Sequence, residues 1–461
     1  MIETNLDQIP IGLEAIERAR TVLFDGANGP IAIRTPLIFS EPLSSQLGCR
    51  VWLKLENLQK TGSYKIRGAY NNIANLTPAQ AAAGIVTASA GNHAQGVALA
   101  AAAFGIAGRT TVFVPVGTPR VKQENTRAYG VEVRETRENF DLARDAAYEE
   151  AAVSGRVFIE PFDDWQTIAG QGTIGLEMLD DLPNATAIVA PVGGGGLIAG
   201  IALAVAGRGS SATVIGVEAE GAACLVWALD HGLPEAMPHP PRTQIADGIK
   251  VSRVGVRPFQ VAQALIGRDR VMTVEDTEIV AAIADLMVYA KIIAEGAGAT
   301  ALAGLRDIQT GRVPSIPPYG PDDDVIVLVS GGNIDPSFSW RILYEQTVPN
   351  LLVLRVSMPD RPGELLRMLL PIAHLNVNII DVDVNRLDAR PRMGERIVEL
   401  CVAITSQAQA DNLLTALRAK GYHVLVSRWQ DPRVDRTGNL SRSLINTDRV
   451  RDPHAQEATN A

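Results

Sequence analysis

Cysteine is scarce in this chain: only Cys49, Cys224 and Cys401 occur in 461 residues. Three widely separated cysteines support neither a disulfide framework nor a zinc site. We therefore expect no metal centre, and we expect the reducing environment of the cytoplasm.

Positive charge is also in short supply, with 42 lysines and arginines against 51 aspartates and glutamates and a net charge of -9. Such a chain has no general attraction for phosphate backbones or anionic lipid, so we expect neither nucleic acid nor a membrane as a partner. The sequence lacks any uncharged apolar run of the roughly 18 residues that a membrane helix needs. Its first 20 residues also lack the basic start and apolar stretch of a secretory signal.

The chain does have ample hydrophobic material, at 46% of its residues, and its length exceeds what one core usually contains, so two or three domains are expected. Between residues 20 and 345, short Val- and Ile-rich runs alternate with longer Ala-rich stretches of helical period. This alternation is typical of an α/β architecture built around a parallel sheet. The clearest predicted strands are Ile85–Ala88, Thr110–Val114, Ala187–Ala190, Val214–Glu218 and Val325–Ser330.

A different pattern begins near residue 350. It predicts strands at Leu351–Met358, Val377–Asn385, Arg396–Ile404 and His423–Val426, with helices at Gly363–Ala373, interrupted by Pro371, and at Gln407–Lys420. The order βαββαβ is that of a ferredoxin-like domain. Residues 430–461 are polar and poor in large apolar side chains, so we expect a disordered tail there.

Lys65 lies where a predicted loop enters a helix, within the segment Lys-Thr-Gly-Ser-Tyr-Lys-Ile-Arg-Gly-Ala of residues 60–69. A lysine can form a Schiff base with an aldehyde cofactor when burial or a neighbouring cation lowers its pKa. Tyr64 beside it could pack near the ring of such a cofactor. A lysine at a helix start is more often solvated, so this segment alone does not decide between a catalytic and a surface lysine.

Four consecutive glycines, Gly193, Gly194, Gly195 and Gly196, follow a predicted strand and open an Ala-rich helix at Leu197. Without Cβ atoms, their backbone N–H groups can converge on a phosphate, and the helix N-terminus favours negative charge. A flexible turn or a dinucleotide loop is the alternative, but the GxGxxG spacing of a dinucleotide loop is absent. We favour a phosphate site.

A second strand end carries Ser89, Ala90, Gly91, Asn92 and His93 just before another helix. The backbone N–H groups of such a turn can hold a carboxylate while the asparagine side chain bonds a ring hydroxyl. Helix capping by Ser89 or Asn92 is the simpler alternative. A third turn follows the strand that ends at Ser330, and ligands in open α/β sheets bind at the carboxyl ends of strands, so we predict one shared site.

Seven segments together resemble the threonine and serine dehydratases, which are pyridoxal-phosphate enzymes of fold type II. These segments are residues 62–69, 89–96, 170–177, 193–196, 246–248, 295–299 and 330–333, in family order. The resemblance implies a tryptophan synthase β-like α/β core with a large domain, residues 1–83 and 164–345, and a small domain, residues 84–163. It also implies pyridoxal 5'-phosphate as the cofactor, a small amino acid as the substrate and a homo-oligomer, either dimer or tetramer.

The same resemblance implies a role for each candidate residue. Lys65 would hold the cofactor as a Schiff base and act as catalytic base, with Tyr64 beside it. Asn92 would bond the ring 3-hydroxyl, Glu295 would line the cofactor and Ser330 would face the pyridine nitrogen. The phosphate would lie against Gly193, Gly194, Gly195, Gly196 and Leu197, and the substrate carboxylate against Ser89, Ala90, Gly91, Asn92 and His93.

Three positions narrow the reaction. A neutral hydroxyl at Ser330 does not enforce a protonated ring, which favours elimination over transamination. Racemases that resemble this chain have a serine where Ala90 stands. Threonine synthases and cysteine-forming relatives usually have an aspartate directly after the lysine, where this chain has Ile66. The resemblance, narrowed by these positions, therefore implies deamination of L-threonine to 2-oxobutyrate and ammonia, and of L-serine to pyruvate. A racemase, a sulfhydrylase-like synthase and a catalytically silent amino-acid-binding protein stay as alternatives.

A divalent-cation site found in some relatives maps to Glu218, the Ala222 carbonyl and Cys224. A hard cation prefers oxygen ligands, so the cysteine makes such a cation unexpected here.

The C-terminal unit, residues 350–429, resembles an ACT domain. Its candidate effector residues are Asp360, Arg361, Pro362 and Gly363 in the first turn, and Asn376 and Asn378 near the next strand. In that family paired domains bind amino acids at their interface, so feedback by isoleucine or valine is our hypothesis. A role in assembly alone is the alternative.

Overall fold

The computed structural model describes residues 9–26, 28–335, 339, 351–385 and 394–429. The chain forms two compact units, Met1–Ile342 and Leu343–Ala461. In the part of the chain that is described, no helix combines the length and the apolarity that crossing a membrane requires. The tail predicted at residues 430–461 lies outside the described residues.

The first unit alternates strands and helices along the chain. Its strands are β1 (Leu37–Phe39), β2 (Arg50–Leu55), β3 (Ile85–Ala88), β4 (Thr110–Val114), β5 (Glu132–Glu135), β6 (Val157–Phe158), β7 (Ala187–Pro191), β8 (Thr213–Ala219), β9 (Val271–Val274) and β10 (Asp324–Val329). Its helices are α1 (Leu13–Phe24), α2 (Glu41–Leu47), α3 (Lys65–Ala74), α4 (Pro78–Ala83), α5 (Asn92–Ala103), α6 (Arg120–Arg127), α7 (Phe140–Ser154), α8 (Trp165–Asp181), α9 (Gly196–Gly207), α10 (Cys224–His231), α11 (Val256–Leu265), α12 (Asp276–Asp285) and α13 (Gly296–Gln309). The strands predicted in this unit are confirmed to within one residue at each end.

The larger sheet has the strand order β1-β2-β10-β7-β8-β9, in which β1 is antiparallel and the other strands are parallel. Side chains of the central strand β10 alternate between two cores. Ile326 and Leu328 join one of them, and Val325, Val327 and Val329 join the other. Because both faces are buried, these strands appear in the sequence as continuous apolar runs.

The smaller sheet is parallel and has the order β5-β4-β3-β6. Ile85 of β3 packs with helix residues on one face, whereas Val86 and Ala88 pack with Phe113 on the other. Strand β3 leads through residues 89–91 into α5, which places that turn at the carboxyl edge of the sheet. The α/β class is confirmed, and the domain boundaries at residues 84 and 163 stay a prediction.

The second unit contains the strands β11 (Leu351–Pro359), β12 (Asn378–Asn385), β13 (Glu395–Ala403) and β14 (His423–Trp429), and the helices α14 (Glu364–His374) and α15 (Gln407–Ala419). Its antiparallel sheet has the order β12-β13-β11-β14. The ferredoxin-like order predicted from the sequence is confirmed.

Pro371 does not interrupt its helix, contrary to the prediction. Helix α14 continues through it to His374, although proline cannot donate the backbone bond of that turn. Met368, Pro371 and Ile372 are all buried. Apolar burial of this face therefore offsets the lost hydrogen bond, a long-range effect that the local sequence does not contain.

Helices α8 and α9 approach each other closely because glycines face each other across the contact. A Cβ added at Gly200 would lie 2.6 Å from the backbone nitrogen of Gly172. Only the absence of both side chains allows this separation. The contact fixes the position of α9, and with it the glycine-rich turn from which α9 starts.

A cluster of buried charges ties α3 to β2 and α8. Arg67 donates to both carboxylate oxygens of Glu56, at 2.8 and 2.9 Å, and to both of Glu177, at 2.6 and 3.0 Å. Lys54 donates to Glu177 at 2.6 Å and to the Thr35 carbonyl at 2.7 Å. None of the four ionic side chains is more than 2% exposed. Burial alone would raise the pKa of Glu56, but the charges of Arg67 and Lys54 outweigh it and hold that pKa below its usual value.

We predict that Arg67→Met destabilises the protein strongly, because it leaves two carboxylates buried beside a single lysine. Removing one partner of a buried ion pair typically costs about 3–5 kcal/mol. Urea denaturation measures the loss. Arg120→Met is the matched control, because it removes an exposed pair with Glu124 that is worth about 0–1 kcal/mol. Equal destabilisation by the two variants would contradict the prediction.

Candidate active site

Lys65 is the first residue of α3, and its side chain is half-buried. Its Nζ donates to the carbonyl of Pro161 at 3.2 Å and lies 5.1 Å from the centroid of the Tyr64 ring. The backbone N–H of Tyr64 donates to the carbonyl of Ser330 at 3.2 Å. The structure therefore brings the predicted lysine beside the end of β10 and beside the segment that follows β6.

The turn of Gly193 to Gly196 forms a tight cradle between β7 and α9. Gly195 has a φ of +86°, a conformation that side chains disfavour. A Cβ added at Gly194 would overlap the ring of Phe162, and one added at Gly193 would lie 2.9 Å from the Cα of Ile249. Bare backbone is thus required at the N-terminus of a 12-residue helix, which is an arrangement suited to an anion.

Asn92 is hydrogen-bonded to side chains of two other turns, those of Glu295 and Asn333. Its Nδ2 donates to Oε1 of Glu295 at 2.6 Å, and its Oδ1 accepts from Nδ2 of Asn333 at 2.8 Å. Burial raises the pKa of Glu295 to about 7, although the bond from Asn92 opposes the rise. The second hydrogen on Nδ2 of Asn92 is left for a ligand.

The imidazole of His93 is directed toward the backbone after β6. Its Nε2 lies 3.2 Å from the carbonyl oxygen of Ile159, which can only accept, so the ring proton is on Nε2. Burial, with the charge of Lys65, lowers the pKa of His93 to about 3. Nδ1 of the ring has no partner among the described residues, but without a proton it cannot bind a carboxylate. The backbone N–H of His93, at the start of α5, is therefore the group suited to a carboxylate, and the role of His93 stays a prediction.

Ser330 lies at the end of β10 and is 2% exposed. Its hydroxyl donates to the carbonyl of Ala297 over a long 3.3 Å. The neighbouring Gly331 has no room for a side chain, because a Cβ there would overlap the carboxylate of Glu295. Ser330, Glu295 and Asn92 are thus gathered at one place.

Two of the residues that correspond to a cation site in some relatives, Glu218 and Cys224, are engaged by protein groups. Glu218 accepts the backbone N–H groups of Leu225 and Val226, both at 2.8 Å, and burial raises its pKa to about 7. Cys224 donates its thiol to the carbonyl of Gly193 at 3.3 Å. Among the described residues, no group of three or more His, Cys, Asp or Glu side chains is arranged to hold a metal.

Two residues of the site were missed by the sequence-based prediction, Pro161 and Phe162. Both are buried and lie three and four residues beyond the carboxyl end of β6. The rule that ligands gather at such strand ends would have pointed to them, but β6 is only two residues long and gave no clear strand signal.

The sequence from residue 30 to residue 331 matches the model of a protein family described as pyridoxal-phosphate dependent enzyme. The chain belongs to this family. The fold type II core and the pyridoxal-phosphate cofactor expected from the sequence are therefore confirmed.

The relatives include enzymes of threonine metabolism. The chain is 38% identical over 421 residues to an L-threonine ammonia-lyase of Thermotoga maritima, covering 90% of this chain and 99% of that protein. The processed form of threonine deaminase isoform 2 from Solanum lycopersicum superposes with a TM-score of 0.65 at 34% identity, covering 72% of this chain and 93% of that one. Maize serine racemase superposes with a TM-score of 0.65 at 31% identity, covering 73% and 98%. The resemblance to threonine and serine dehydratases is confirmed.

The residues present fit pyridoxal phosphate. A Cβ at any of Gly193 to Gly196 would come into close contact with neighbouring atoms, so the turn keeps its backbone bare, which suits a phosphate. Lys65 supplies the amine that pyridoxal phosphate requires for a Schiff base. Asn92 has a free N–H for a ring oxygen, and Ser330 offers a hydroxyl beside it.

We predict that Gly194→Ala weakens cofactor binding, because the added methyl group would overlap the Phe162 ring and force the turn out of shape. Overpacking that costs about 1–3 kcal/mol of binding free energy corresponds to a rise of about 5- to 150-fold in the dissociation constant. Titration with pyridoxal phosphate, followed by tryptophan fluorescence, measures it. Gly108→Ala is the control, since that glycine is exposed and nothing lies within 4 Å of an added Cβ. An unchanged affinity in Gly194→Ala would contradict the assignment of the cradle.

Proposed function

We propose that this protein deaminates L-threonine to 2-oxobutyrate and ammonia, and L-serine to pyruvate. The observation that carries the proposal is the placement of Lys65, the glycine cradle and a neutral Ser330 around one site. The 38% identity to an L-threonine ammonia-lyase over most of both chains supports the choice of substrate.

Bound pyridoxal phosphate supplies an electron-accepting ring that stabilises negative charge at the substrate Cα. The backbone N–H groups of Gly193 to Leu197 bind the phosphate and fix its position. Lys65 would hold the cofactor through Nζ, and the same nitrogen, once free, would act as the general base that takes the proton from the substrate Cα. In the structure Nζ is held by the Pro161 carbonyl, so the amine has a defined resting place.

Ser89 to His93 bind the substrate carboxylate at the N-terminus of α5. The first N–H groups of a helix have no partner inside that helix and attract negative charge. The hydrogen bond from the His93 imidazole to the Ile159 carbonyl fixes the orientation of this turn. Ser330 would present a neutral hydroxyl to the ring nitrogen, and this would favour loss of the β-hydroxyl over transamination.

Racemisation is the main rival, since a maize serine racemase shares 31% of the aligned residues. Reversing the configuration at Cα requires a proton donor on the face opposite Lys65. Ala90, in the turn before α5, has no proton to give. This position argues for elimination.

We predict that the wild-type protein releases 2-oxobutyrate from L-threonine and that Lys65→Ala lowers the rate by about 10²–10⁴-fold or more, because it loses its general base and cofactor anchor. A coupled assay for keto acids measures both. Lys60→Ala is the matched control, because Lys60 is exposed on the same loop and its Nζ donates to the Pro30 carbonyl at 2.8 Å, away from the site residues. Full activity in Lys65→Ala would overturn the mechanism, and D-serine formation would favour the racemase.

We also propose that the second unit binds a branched-chain amino acid between two copies of itself. Ile379 and Leu352 both pair with Val402, so the start of β12 is level with the start of β11. The turn of Asp360 to Gly363 follows the other end of β11, seven residues or about 23 Å away at 3.3 Å per residue. One copy cannot bring Asn376 and Asn378 to that turn, so a second copy has to supply one half of the site.

This proposal also rests on the character of the turn. Gly363 has a φ of +85° and precedes α14, so the turn presents backbone N–H groups at a helix N-terminus, where a carboxylate can bind. Asp360 is exposed and paired with Arg396 at 2.7 Å. We further propose that the protein forms a dimer or a tetramer and that it is located in the cytoplasm.

We predict that isothermal titration of the full-length protein with L-isoleucine or L-valine gives a binding heat that Asp360→Ala and Asn378→Ala each reduce. Both halves of the site are needed, so either change weakens binding. Lys420→Ala, an exposed residue of the same unit, is the control and keeps the heat. No heat with any branched-chain amino acid would leave assembly as the function of this unit.

A further inference from the structure

Ser63 carries a hydroxyl that is buried without a hydrogen-bond partner. The residue is 0% exposed, and among the described residues no side chain or backbone group pairs with its Oγ. Leaving a buried hydroxyl unpaired costs free energy, so native structures rarely contain one without a reason. A ligand that supplies the missing partner is one such reason.

The backbone fixes the direction of this side chain. Tyr64 N–H donates to the Ser330 carbonyl at 3.2 Å, and Gly332 N–H donates to the Gly62 carbonyl at 2.9 Å, which makes Ser63 and Gly331 a bridged antiparallel pair. Side chains of such a pair lie on the same face, with Cβ atoms about 4.5–5.5 Å apart.

The face in question is the one that holds the proposed cofactor residues. A Cβ on Gly331 would overlap the carboxylate of Glu295 and lie 3.3 Å from Nδ2 of Asn92. Ser63 therefore points toward Asn92 and Glu295, yet both of these side chains bond each other instead of the hydroxyl. Gly331 has no side chain that could pair with the hydroxyl of Ser63, and the position of its missing Cβ is taken by the carboxylate of Glu295.

We propose that Ser63 donates its hydroxyl hydrogen to an anionic oxygen of the bound ligand. The oxygen is either the ring oxygen of pyridoxal phosphate, which Asn92 also faces, or the carboxylate of the amino acid. The inference rests on the placement of the cofactor at Lys65 proposed above. Ser63 is thus a further ligand-binding residue, two positions before Lys65 and opposite the neighbour of Ser330.

A ligand-facing hydroxyl and a structural one differ in their effects on the protein without cofactor. Ser63→Ala removes an unpaired buried hydroxyl, so the midpoint of urea unfolding without cofactor should stay the same or rise. A hydroxyl with a protein partner would lower it. Ser40→Ala is the matched control, since Ser40 is 5% exposed, its Oγ is also unpaired, and it lies at the start of α2, outside the elements of the site.

The experiment compares full-length wild type, Ser63→Ala and Ser40→Ala in three measurements: the unfolding midpoint, the dissociation constant of pyridoxal phosphate, and KM for L-threonine. We expect Ser63→Ala to raise the cofactor dissociation constant about tenfold or more, as for other hydrogen bonds to charged groups, and Ser40→Ala to leave it unchanged. A rise in KM alone would identify the substrate carboxylate as the acceptor.

Unchanged cofactor affinity together with unchanged KM would overturn the proposal, and so would a fall in the unfolding midpoint that Ser40→Ala does not share. Failure of the proposed reaction is a separate result. If the wild type releases no 2-oxobutyrate, the cofactor titration still tests Ser63, because that measurement needs no turnover.

Discussion

The buried charges around Arg67 are the constraint on which the site depends. Two buried cations donate hydrogen bonds to two buried carboxylates, with donor–acceptor distances of 2.6–3.0 Å. The cluster is therefore neutral, and every member has a partner. Arg67 stands two residues after Lys65, which leaves the start of α3 little freedom to move relative to β2 and α8. The pKa of Glu56 in the folded protein lies below that of an unfolded glutamate. Glu56 therefore contributes its full stabilisation at pH values above the unfolded pKa, and this stabilisation is lost as the pH falls through the lower pKa of the folded state.

The cluster is also connected to the glycine cradle, through α8 and α9. Glu177 is on α8, which packs against α9 at the contact of Gly172 and Gly200, and α9 begins at the glycine cradle. The amine of Lys65 and the cradle therefore have their relative position set by packed helices and not by flexible loops. A site built on rigid elements keeps its reacting groups in place, and catalysis depends strongly on such positioning.

The sequence predicted the parts of the site that are local. The cradle after β7, the turn after β3 and Ser330 after β10 each follow a clear apolar strand, and the carboxyl ends of parallel strands gather at one edge. What the sequence could not supply is long-range contact. The Pro161 carbonyl that holds Lys65, the tether of His93 to Ile159 and the burial of Pro371 all depend on which segments meet after folding. In the second unit, the separation of Asp360 from Asn378 follows from strand register, which the order of elements alone does not fix.

The electrostatic character of the site follows from burial. His93, at the start of α5, has its pKa lowered to about 3, so at any pH well above that value it adds no positive charge beside Lys65. Glu295 has its pKa raised to about 7, so it takes up a proton as pH falls through neutrality and adds only a partial negative charge there. Ser330 is uncharged at every pH. His93, Glu295 and Ser330, which surround the proposed ring, thus carry little charge near neutral pH. A cofactor ring in such surroundings is not forced to accept a proton at its nitrogen, and elimination of a β-hydroxyl is the reaction that benefits, because it removes the charge at Cα without storing it.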